Sequence, residues 1–509
     1  MSAKSSRIAN TKRNTVWAMV YKVLSIMLPF LTRTVLIYVL GIQYVGINGL
    51  VSSILQVLSL ADLGFSSAII YSMYKPIANS DTDTINALLA FYAKIYRIIG
   101  LVILGIGLAL VPFLDKLISG DCPNDVSIVI VYLIYLVNTS ISYFLFAYKK
   151  SLLTALQRND IISKVGAINK IATTVLQIGG LYLISQYYAY IIVLPLITLL
   201  DNLLCAWISH KYYPQFKCSG ELDKTVKADI VEKTKGLLVH KICGVTRNSC
   251  DNIFISMFLG LTPVGIYSNY YYIMTSIRGM LDVFTTSMSA SVGNSVATET
   301  IDKNYLNLNQ FTFIFEWICG WCTICLLCLY QPFMELWVGK GAMFSFEVVI
   351  AISVYFYVWT MGDIKSQYAD AAGLWWKDRF RAVAEAAGNI LLNYFLVQKM
   401  GIFGIVIATA ISILFIGFPW GVKIVFDGYF VTKSAVKYIL SHIIYAGVTL
   451  GISIITLLTT LQIPITGFAG LFVKALVCLV LPNILYLAIY CKTPIFKESM
   501  RFVKKVVVR

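Results

Sequence analysis

The chain has 509 residues, 58% of them hydrophobic and only 13% charged, and its mean hydropathy is +0.77. So apolar and charge-poor a composition excludes an ordinary soluble globule. A formal net charge of +16 would suit nucleic acid, but the basic residues gather between apolar segments, which is the habit of a membrane protein and excludes a nucleic-acid partner.

A helix needs about 20 mostly apolar residues to cross the hydrocarbon core of a bilayer. Fourteen segments reach that length and predict helices over residues 17–40, 46–73, 86–114, 126–148, 162–184, 187–209, 236–259, 264–292, 308–330, 344–362, 380–398, 402–425, 437–459 and 467–490. Pro29 interrupts the first, Pro195 the sixth, Pro419 the twelfth and Pro482 the fourteenth. Each removes a backbone hydrogen bond and can kink its helix. Pro29, flanked by charged neighbours, is read as a hinge. Residues 1–16 lead into a full-length span without a small-residue cleavage site, so no cleavable signal is expected.

The longest internal connection, about 210–235, is dense in charge of both signs and follows six spans. An internal match agrees with a division there. Leu40-Gly41-Ile42-Gln43-Tyr44-Val45-Gly46-Ile47 follows the first span, and Leu259-Gly260-Leu261-Thr262-Pro263-Val264-Gly265-Ile266 follows the seventh. The shared L-G-x-x-x-V-G-I recurs 219 residues on, from 41 to 260 and from 46 to 265. Both halves start on the same side of the membrane, so the repeat is parallel. The expected fold is all-α and polytopic: two six-helix lobes around a central cavity, plus two extra C-terminal helices. The domains are then an N-lobe at 1–215, an inter-lobe loop at 216–235, a C-lobe at 236–430, and the last two helices with a basic tail at 431–509.

Basic residues fill the two tails and alternate loops: Lys4, Arg7, Lys12 and Arg13, then Lys149, Lys150, Arg158 and Lys164, the lysines of 211–235, the cluster at 365–381, and the segment 492–509. The intervening loops hold only Lys116, Lys340 and Lys399. This positive-inside bias places both termini in the cytoplasm. The basic segment 497–509 also suits anionic lipid headgroups, although a topology signal accounts for it. Of 11 cysteines, most fall inside spans. The run Cys319, Cys322, Cys325, Cys328 mimics metal-ligand spacing, yet it drifts around an apolar helix without a histidine, and buried cysteine behaves as a small hydrophobe. Cys122 alone sits in a predicted outer loop, so no disulfide is expected there.

Charge inside the membrane is the most specific functional signal. Nine basic residues lie within the spans, namely Lys22, Arg33, Lys94, Arg97, Lys170, Lys241, Arg247, Arg278 and Lys474. Facing them away from span ends are Asp62, Asp201, Asp251, Asp282, Glu316 and Glu385. A central Arg or Lys costs about 2.5–3.5 kcal/mol on insertion scales, so such groups face a cavity or a partner. Lys22, Lys94 and Lys170 are near enough to a span end to snorkel; Arg33, Arg247 and Arg278 are not. Lys22 and Arg33 are eleven residues apart, three helical turns, and share a face with Pro29. Arg247 precedes Asp251 by four and Arg278 precedes Asp282 by four, a spacing that also suits plain intrahelical ion pairs. The first half has no such relief: five basic residues meet only Asp62 and Asp201. A cationic cavity of this kind needs an anionic visitor.

No enzyme is legible. His210, His240 and His442 are scattered without metal-ligand companions, and neither a Walker motif nor another Gly-rich phosphate cradle occurs. No cofactor or metal is expected.

Arg33-Thr34 followed by Leu40-Gly41, Tyr44-Val45-Gly46-Ile47 and Ala61-Asp62-Leu63-Gly64 resembles the first two helices of bacterial polysaccharide flippases. These are the O-antigen, capsule and exopolysaccharide exporters of the multidrug/oligosaccharidyl-lipid/polysaccharide superfamily. The resemblance extends along the chain through the span count, the 6+6+2 plan and the basic inter-half loop. It implies translocation of an undecaprenyl-pyrophosphate-linked oligosaccharide across the bacterial cytoplasmic (inner) membrane by alternating access. Its implied partners are that substrate, membrane lipids, and a polysaccharide polymerase and glycosyltransferases. Peptidoglycan-precursor flippases of the same plan use a cationic cavity and a bent first helix. The resemblance therefore implies headgroup contact for Arg33, Arg97, Arg247 and Arg278, with Lys22 and Lys94 beside them. Asp62, Asp282 and Glu316 are the candidate ion or proton carriers, each with a purely structural role as the alternative.

Residue chemistry converges on this. Pyrophosphate needs several fixed positive charges, and Arg offers planar, bidentate, permanently charged donors. Tyr267, Asn269, Tyr270, Tyr271 and Tyr272 of the eighth span are expected to line a polar vestibule for sugars, against the alternative of an interfacial aromatic belt. Two other functions compete. A cation-coupled multidrug exporter of the same fold would want an apolar or acidic cavity, against which the basic surplus argues. A polysaccharide polymerase or ligase would want a sizeable outer catalytic loop, and the external loops are short.

Reporter fusions check the topology. A fusion at Asp121 should read outside and one at Arg509 inside; the opposite result at either position breaks the two-half plan.

Overall fold

In hydrocarbon no water is present to satisfy backbone N–H and C=O groups, so a chain of this composition must form helices. The computed structural model describes residues 3–59, 65–120 and 122–507, and each of the fourteen predicted segments is mostly helical within them, the fourth being broken at Leu145–Phe146. Nine helical stretches are long and apolar enough to cross a membrane among the described residues, or ten if one bent pair counts as a span. The protein is thus a multi-pass membrane protein. Asp62, with the rest of the 61–64 motif, and Asp121 lie outside the described residues, as do the side chains of His240 and Lys241.

Several boundaries depart from expectation. The second predicted span, 46–73, is not one rod: α2 (Ile42–Leu58) ends before residues 60–64, and α3 (Phe65–Ala78) begins after them. Half of the charged connection is helical, because α10 (Lys224–Leu259) starts well before its apolar part. The eleventh and twelfth segments fall in α15 (Trp375–Ile411), which breaks at Gly401 (φ 55°, ψ −133°), then a wide π turn at Ser412–Gly417 and α16 (Phe418–Gly428). Pro419 supplies no N–H, and a π turn beside it reroutes the ladder.

The chain divides into two compact units, Met1–Gly265 and Ile266–Arg509. The first contains α1 (Ala3–Val39), α2, α3, α4 (Thr82–Leu110), α5 (Ile128–Phe144), α6 (Ala147–Ala155), α7 (Asn159–Ile184), α8 (Tyr187–Ile191), α9 (Val193–Tyr212) and α10. Helix α10 packs on α2 and α3. Asp81 caps α4, where the hydroxyl and N–H of Thr84 donate to its carboxylate and hold it below the usual carboxylate range. Helix α1 lies along α7. Its amino end is pinned by Asp160, 1% exposed, whose carboxylate meets Arg13 at 3.0 Å, Arg158 at 3.0 Å and Lys164 at 3.7 Å. Asn14 completes the joint, accepting from the Asp160 N–H and donating to the Gln157 carbonyl, both at 2.9 Å.

The repeated motif has a structural meaning. Gly41 (φ 114°) and Gly260 (φ 89°) occupy the same left-handed, extended conformation, which only glycine tolerates well. Each donates its N–H to the carbonyl five residues back, Leu36 at 3.2 Å and Ile255 at 3.1 Å, closing one helix before the next starts. The second glycines of the motif meet each other within the first unit. A Cβ on Gly46 would stand 2.1 Å from the Leu261 carbonyl oxygen, and one on Gly265 would stand 2.3 Å from that of Ile42. The two copies of the motif therefore form one backbone-to-backbone crossing.

The second unit gathers around α12 (Ile301–Val338), against which α13 (Phe346–Thr360), α14 (Asp363–Ala371), α17 (Ala435–Leu461), α18 (Gly467–Tyr490) and α19 (Pro494–Val507) pack. At Gly320 a Cβ would meet Tyr486 Oη at 2.2 Å and Thr449 Oγ1 at 2.7 Å, so α17 and α18 close on α12 at a residue without a side chain. Trp317 Nε1 donates to Asn483 Oδ1 at 2.9 Å and Trp321 Nε1 to the Cys478 carbonyl at 2.8 Å, satisfying indole donors that hydrocarbon would leave bare. The cysteines of α12 are free thiols: Cys319 and Cys328 are buried, Cys322 and Cys325 half-buried. Among the described residues no group of three His, Cys, Asp or Glu is placed to hold a metal.

Adding a methyl at the glycine crossing forces two backbones apart, at a cost of about 1–3 kcal/mol for an overpacked contact. Gly46→Ala and Gly265→Ala should each lower the melting temperature in detergent. Gly105→Ala, with nothing within 4 Å of its Cβ position, should leave it unchanged. Equal melting temperatures for all three would contradict the crossing.

Candidate functional site

A charge within apolar helices is stable only beside water, a partner or a bound ion. In the first unit α1 carries Lys22 and Arg33 on one helix that runs unbroken through Pro29, so the three-turn spacing holds. Lys22 is exposed; Arg33 is half-buried and within electrostatic reach of the buried Tyr190 of α8. Around Pro29 the helix leans on side chains: Thr32 Oγ1 donates to the Pro29 carbonyl at 3.1 Å and Thr34 Oγ1 to that of Phe30 at 2.8 Å. Such back-bonding bends helices, and here it falls in the turn that follows the one in which Pro29 removes a bond to the Ser25 carbonyl.

On α4, Lys94 and Arg97 are both exposed, while Tyr92 and Tyr96 of the same helix turn inward, edge to face at 4.2 Å. Arg97 is within electrostatic reach of Tyr148 and Cys218. The loop carrying Cys218 is held by Lys149, whose ammonium donates to the Phe216 carbonyl at 3.1 Å. Asp201, offered by the sequence as relief for the five cations of this half, is engaged by Lys150 and by Asn169 Nδ2 at 2.7 Å. Arg247 is half-buried and Asp251 buried on α10, one turn apart.

Arg278, on α11 (Leu261–Thr298), has a different setting in the second unit. Its Nε stands 3.3 Å from Asp282, its Nη2 2.8 Å from Asp363 of α14, and its Nη1 donates to the Trp359 carbonyl at 3.2 Å. The guanidinium also lies over the Trp359 ring, 4.9 Å from its centroid. The intrahelical pair expected with Asp282 is present, and Asp363 is the stronger partner that the sequence reading missed. A second ionic cluster follows. Arg381 binds Asp378 and reaches Glu385 at 2.5 Å, while the buried Lys365 sits near Arg381 beside Gly421. Gly417, in the π turn, leaves room for the Glu385 carboxylate, which a Cβ there would meet at 2.4 Å.

Glu316 and His442 form a third feature. Glu316 Oε1 lies 2.9 Å from His442 Nδ1, with side chains 2% and 1% exposed. The sequence listed both residues and could not join them, since 126 positions separate α12 from α17 at that point. The expected vestibule is corrected in part. Tyr267, Asn269 and Tyr270 are buried in the protein rather than lining open space; Tyr270 accepts from the Phe344 N–H at 3.3 Å and stacks on the Phe344 ring. Tyr271 and Tyr272 are half-buried, and Tyr271 stacks on Trp359.

Comparisons with known proteins follow the fold. The structure of a lipid II flippase, MurJ, in an inward closed conformation is similar at a TM-score of 0.65 and 15% identity, over 94% of this chain and 98% of that one. An inward-facing multidrug resistance MATE transporter of the MOP superfamily is similar at 0.60 and 14%, over 80% and 98%. A MOP-superfamily transporter from Pyrococcus furiosus, described by a binding pocket of reversed polarity, is similar at 0.54 and 12%, over 82% and 95%. At such identities the likeness establishes the fold alone. No curated protein matches by sequence. The family model for polysaccharide biosynthesis proteins matches residues 11–289, more than half of the chain. With a MOP-type transporter fold and that match, the chain belongs to the polysaccharide biosynthesis protein family.

Proposed function

We propose that the chain is a flippase, not an enzyme, that moves an undecaprenyl-pyrophosphate-linked oligosaccharide from the inner to the outer leaflet of the bacterial cytoplasmic membrane. Its termini are cytoplasmic, and its product feeds surface polysaccharide assembly of the O-antigen, capsule or exopolysaccharide kind. A polymerase and glycosyltransferases are its functional neighbours.

One observation carries the reading. The first unit exposes Lys22, Lys94 and Arg97 on membrane helices while its Asp201 is held by Lys150 and Asn169. Permanent cations on apolar helices need an anion, and pyrophosphate, with charge spread over several oxygens, suits guanidinium donors. Arg33, with Pro29 one turn before it on the same helix, adds a headgroup contact on an element able to bend. Arg247 is kept as a weaker candidate. Arg278, tied to two carboxylates and a ring, serves this reading as an internal brace rather than as a headgroup ligand. A multidrug exporter remains the alternative by fold, but a lipophilic cation would meet repulsion from the same three side chains.

Substitutions separate grip from brace. Arg33→Ala and Arg97→Ala should reach the membrane at normal levels and abolish surface polysaccharide in a strain that depends on this chain. Arg33→Lys and Arg97→Lys should recover only partly, because a point charge replaces a fork. Arg278→Ala strands Asp363, 16% exposed, and should lower protein level and melting temperature, with about 3 kcal/mol lost for a buried ion deprived of its partner. Full export by Arg33→Ala and Arg97→Ala at matched levels would remove the cationic site.

A further inference from the structure

We infer that the second unit carries a phospholipid headgroup site where α11, α12 and α19 meet, one that takes a headgroup with both a phosphodiester and a primary ammonium, as in phosphatidylethanolamine. None of the side chains proposed to grip the transported headgroup lines it, and it stands on the depth, lining and charge of one polar cavity.

The cavity has a volume of about 610 Å³. Its walls come from the last turns of α11, the first turns of α12, Tyr368 of α14, and α19. Its depth in the membrane follows from helix length. At 1.5 Å per residue the 38-residue α12 far exceeds the ~30 Å hydrocarbon core. The opening segment of α12, residues 301–310 (IDKNYLNLNQ), is mostly polar, and the apolar run starts at Phe311. Lys303, Leu306, Asn307 and Gln310, which line the cavity, therefore lie at headgroup depth. Helix α19 starts just past the end of the α18 span at Tyr490 and has the pattern of an interfacial helix. Phe502 meets Phe311 of α12 edge to face at 5.1 Å and Phe496 meets Phe313 at 6.4 Å, while Lys497, Arg501 and Lys504 are exposed.

Two polar groups in the wall are unanswered. Gln310 is 7% exposed, and its amide has no hydrogen-bond partner among the described residues. The Tyr368 hydroxyl is buried without one as well. Buried polar groups are normally hydrogen-bonded, so this wall suits a ligand with donors and acceptors of its own. Charge narrows the choice. Four ionic side chains line the cavity among the described residues. Glu299 and Lys303 bind each other, whereas Glu498 and Arg501 form no ion pair among the described residues. These two are three positions apart on α19, which sets their Cβ atoms about 5–6 Å apart on one face. A plain anion would meet the Glu498 carboxylate, and a plain cation the Arg501 guanidinium. A phosphate and an ammonium joined by two methylenes satisfies both, with Arg501 donating to phosphate oxygens and Glu498 accepting from the ammonium. The amides of Gln310 and Asn307 are left to donate to the remaining phosphate oxygens. Leu306, 44% exposed on the same lining, offers apolar surface to the acyl chains. Such a lipid fastens α19 to the membrane surface beside α12.

Lipid retention by the purified full chain tests this without any transport step. The delipidated chain is offered an equimolar mixture of phosphatidylethanolamine, phosphatidylglycerol and phosphatidylcholine with identical acyl chains, and bound lipid is counted by native mass spectrometry. The wild type should retain phosphatidylethanolamine several-fold over the other two; equal retention of all three would overturn the site. Glu498→Gln and Arg501→Gln should each remove most of that preference, and Glu498→Lys should turn it toward phosphatidylglycerol. A preference for phosphatidylethanolamine unchanged in these variants would place the lipid elsewhere and overturn the site equally. Should a charge variant fail to fold, Asn307→Ala supplies the comparison and should lower retention of phosphatidylethanolamine. Soluble phosphoethanolamine is the last arm. At equal concentration it should leave the bound lipid in place, and displacement by it would overturn the lipid assignment in favour of a free small molecule.

Discussion

Burying a charge in hydrocarbon is the constraint on which this molecule turns. An unpaired Arg or Lys at mid-membrane is costly, and the two units meet that cost differently. In the second unit the cations are braced by protein: Arg278 by Asp282, Asp363 and Trp359, and Arg381 by Asp378 and Glu385. In the first, Lys22, Lys94 and Arg97 remain exposed on membrane helices. On the proposed function a ligand completes the arrangement of the first unit, whereas that of the second unit is complete in itself. Under that proposal headgroup capture belongs to the first unit and structural bracing to the ionic clusters of the second.

Packing serves the same end. Helices gain little from apolar contact in lipid and associate through close approach and hydrogen bonds. Gly46 against Gly265, and Gly320 beneath Tyr486 and Thr449, show backbones and small residues used in that way. Polar side chains sit where they can be satisfied: Trp317 on Asn483, Trp321 on a carbonyl, and Asp160 among three basic residues. Asp160 pins α1 at Arg13, and Pro29 removes one bond from the ladder of the same helix.

Most of the fold was legible because hydrophobic length is a one-dimensional signal. The repeat was legible too, since Gly41 and Gly260 are required by a backbone conformation that other residues resist. What the sequence hid was pairing across elements. Asp201 was credited to mid-span cations, but its partner is Lys150, placed in a loop by hydropathy. Asp363 fell one residue past a predicted span end and went unnoticed as the counter-ion of Arg278. His442 lacked companions along the chain and was set aside, although Glu316 stands beside it in space. Tyr270 looked like vestibule lining by composition and proved to be core, because aromatic residues in a span serve either end equally well. For single charges in apolar helices, only tertiary contact could say which already have a partner within the protein.

Transport of a lipid-linked glycan by the purified protein is the most direct measurement of the central claim. Proteoliposomes would carry a radiolabelled undecaprenyl-pyrophosphate-linked oligosaccharide, with a glycosidase added outside to report glycans that reach the outer leaflet. Cleavage well beyond that seen in protein-free vesicles, unaffected by a lipophilic cationic dye, is the expected result. Cleavage no faster than in empty vesicles, together with gradient-driven uptake of the dye, would contradict the flippase assignment and point to the multidrug exporter instead.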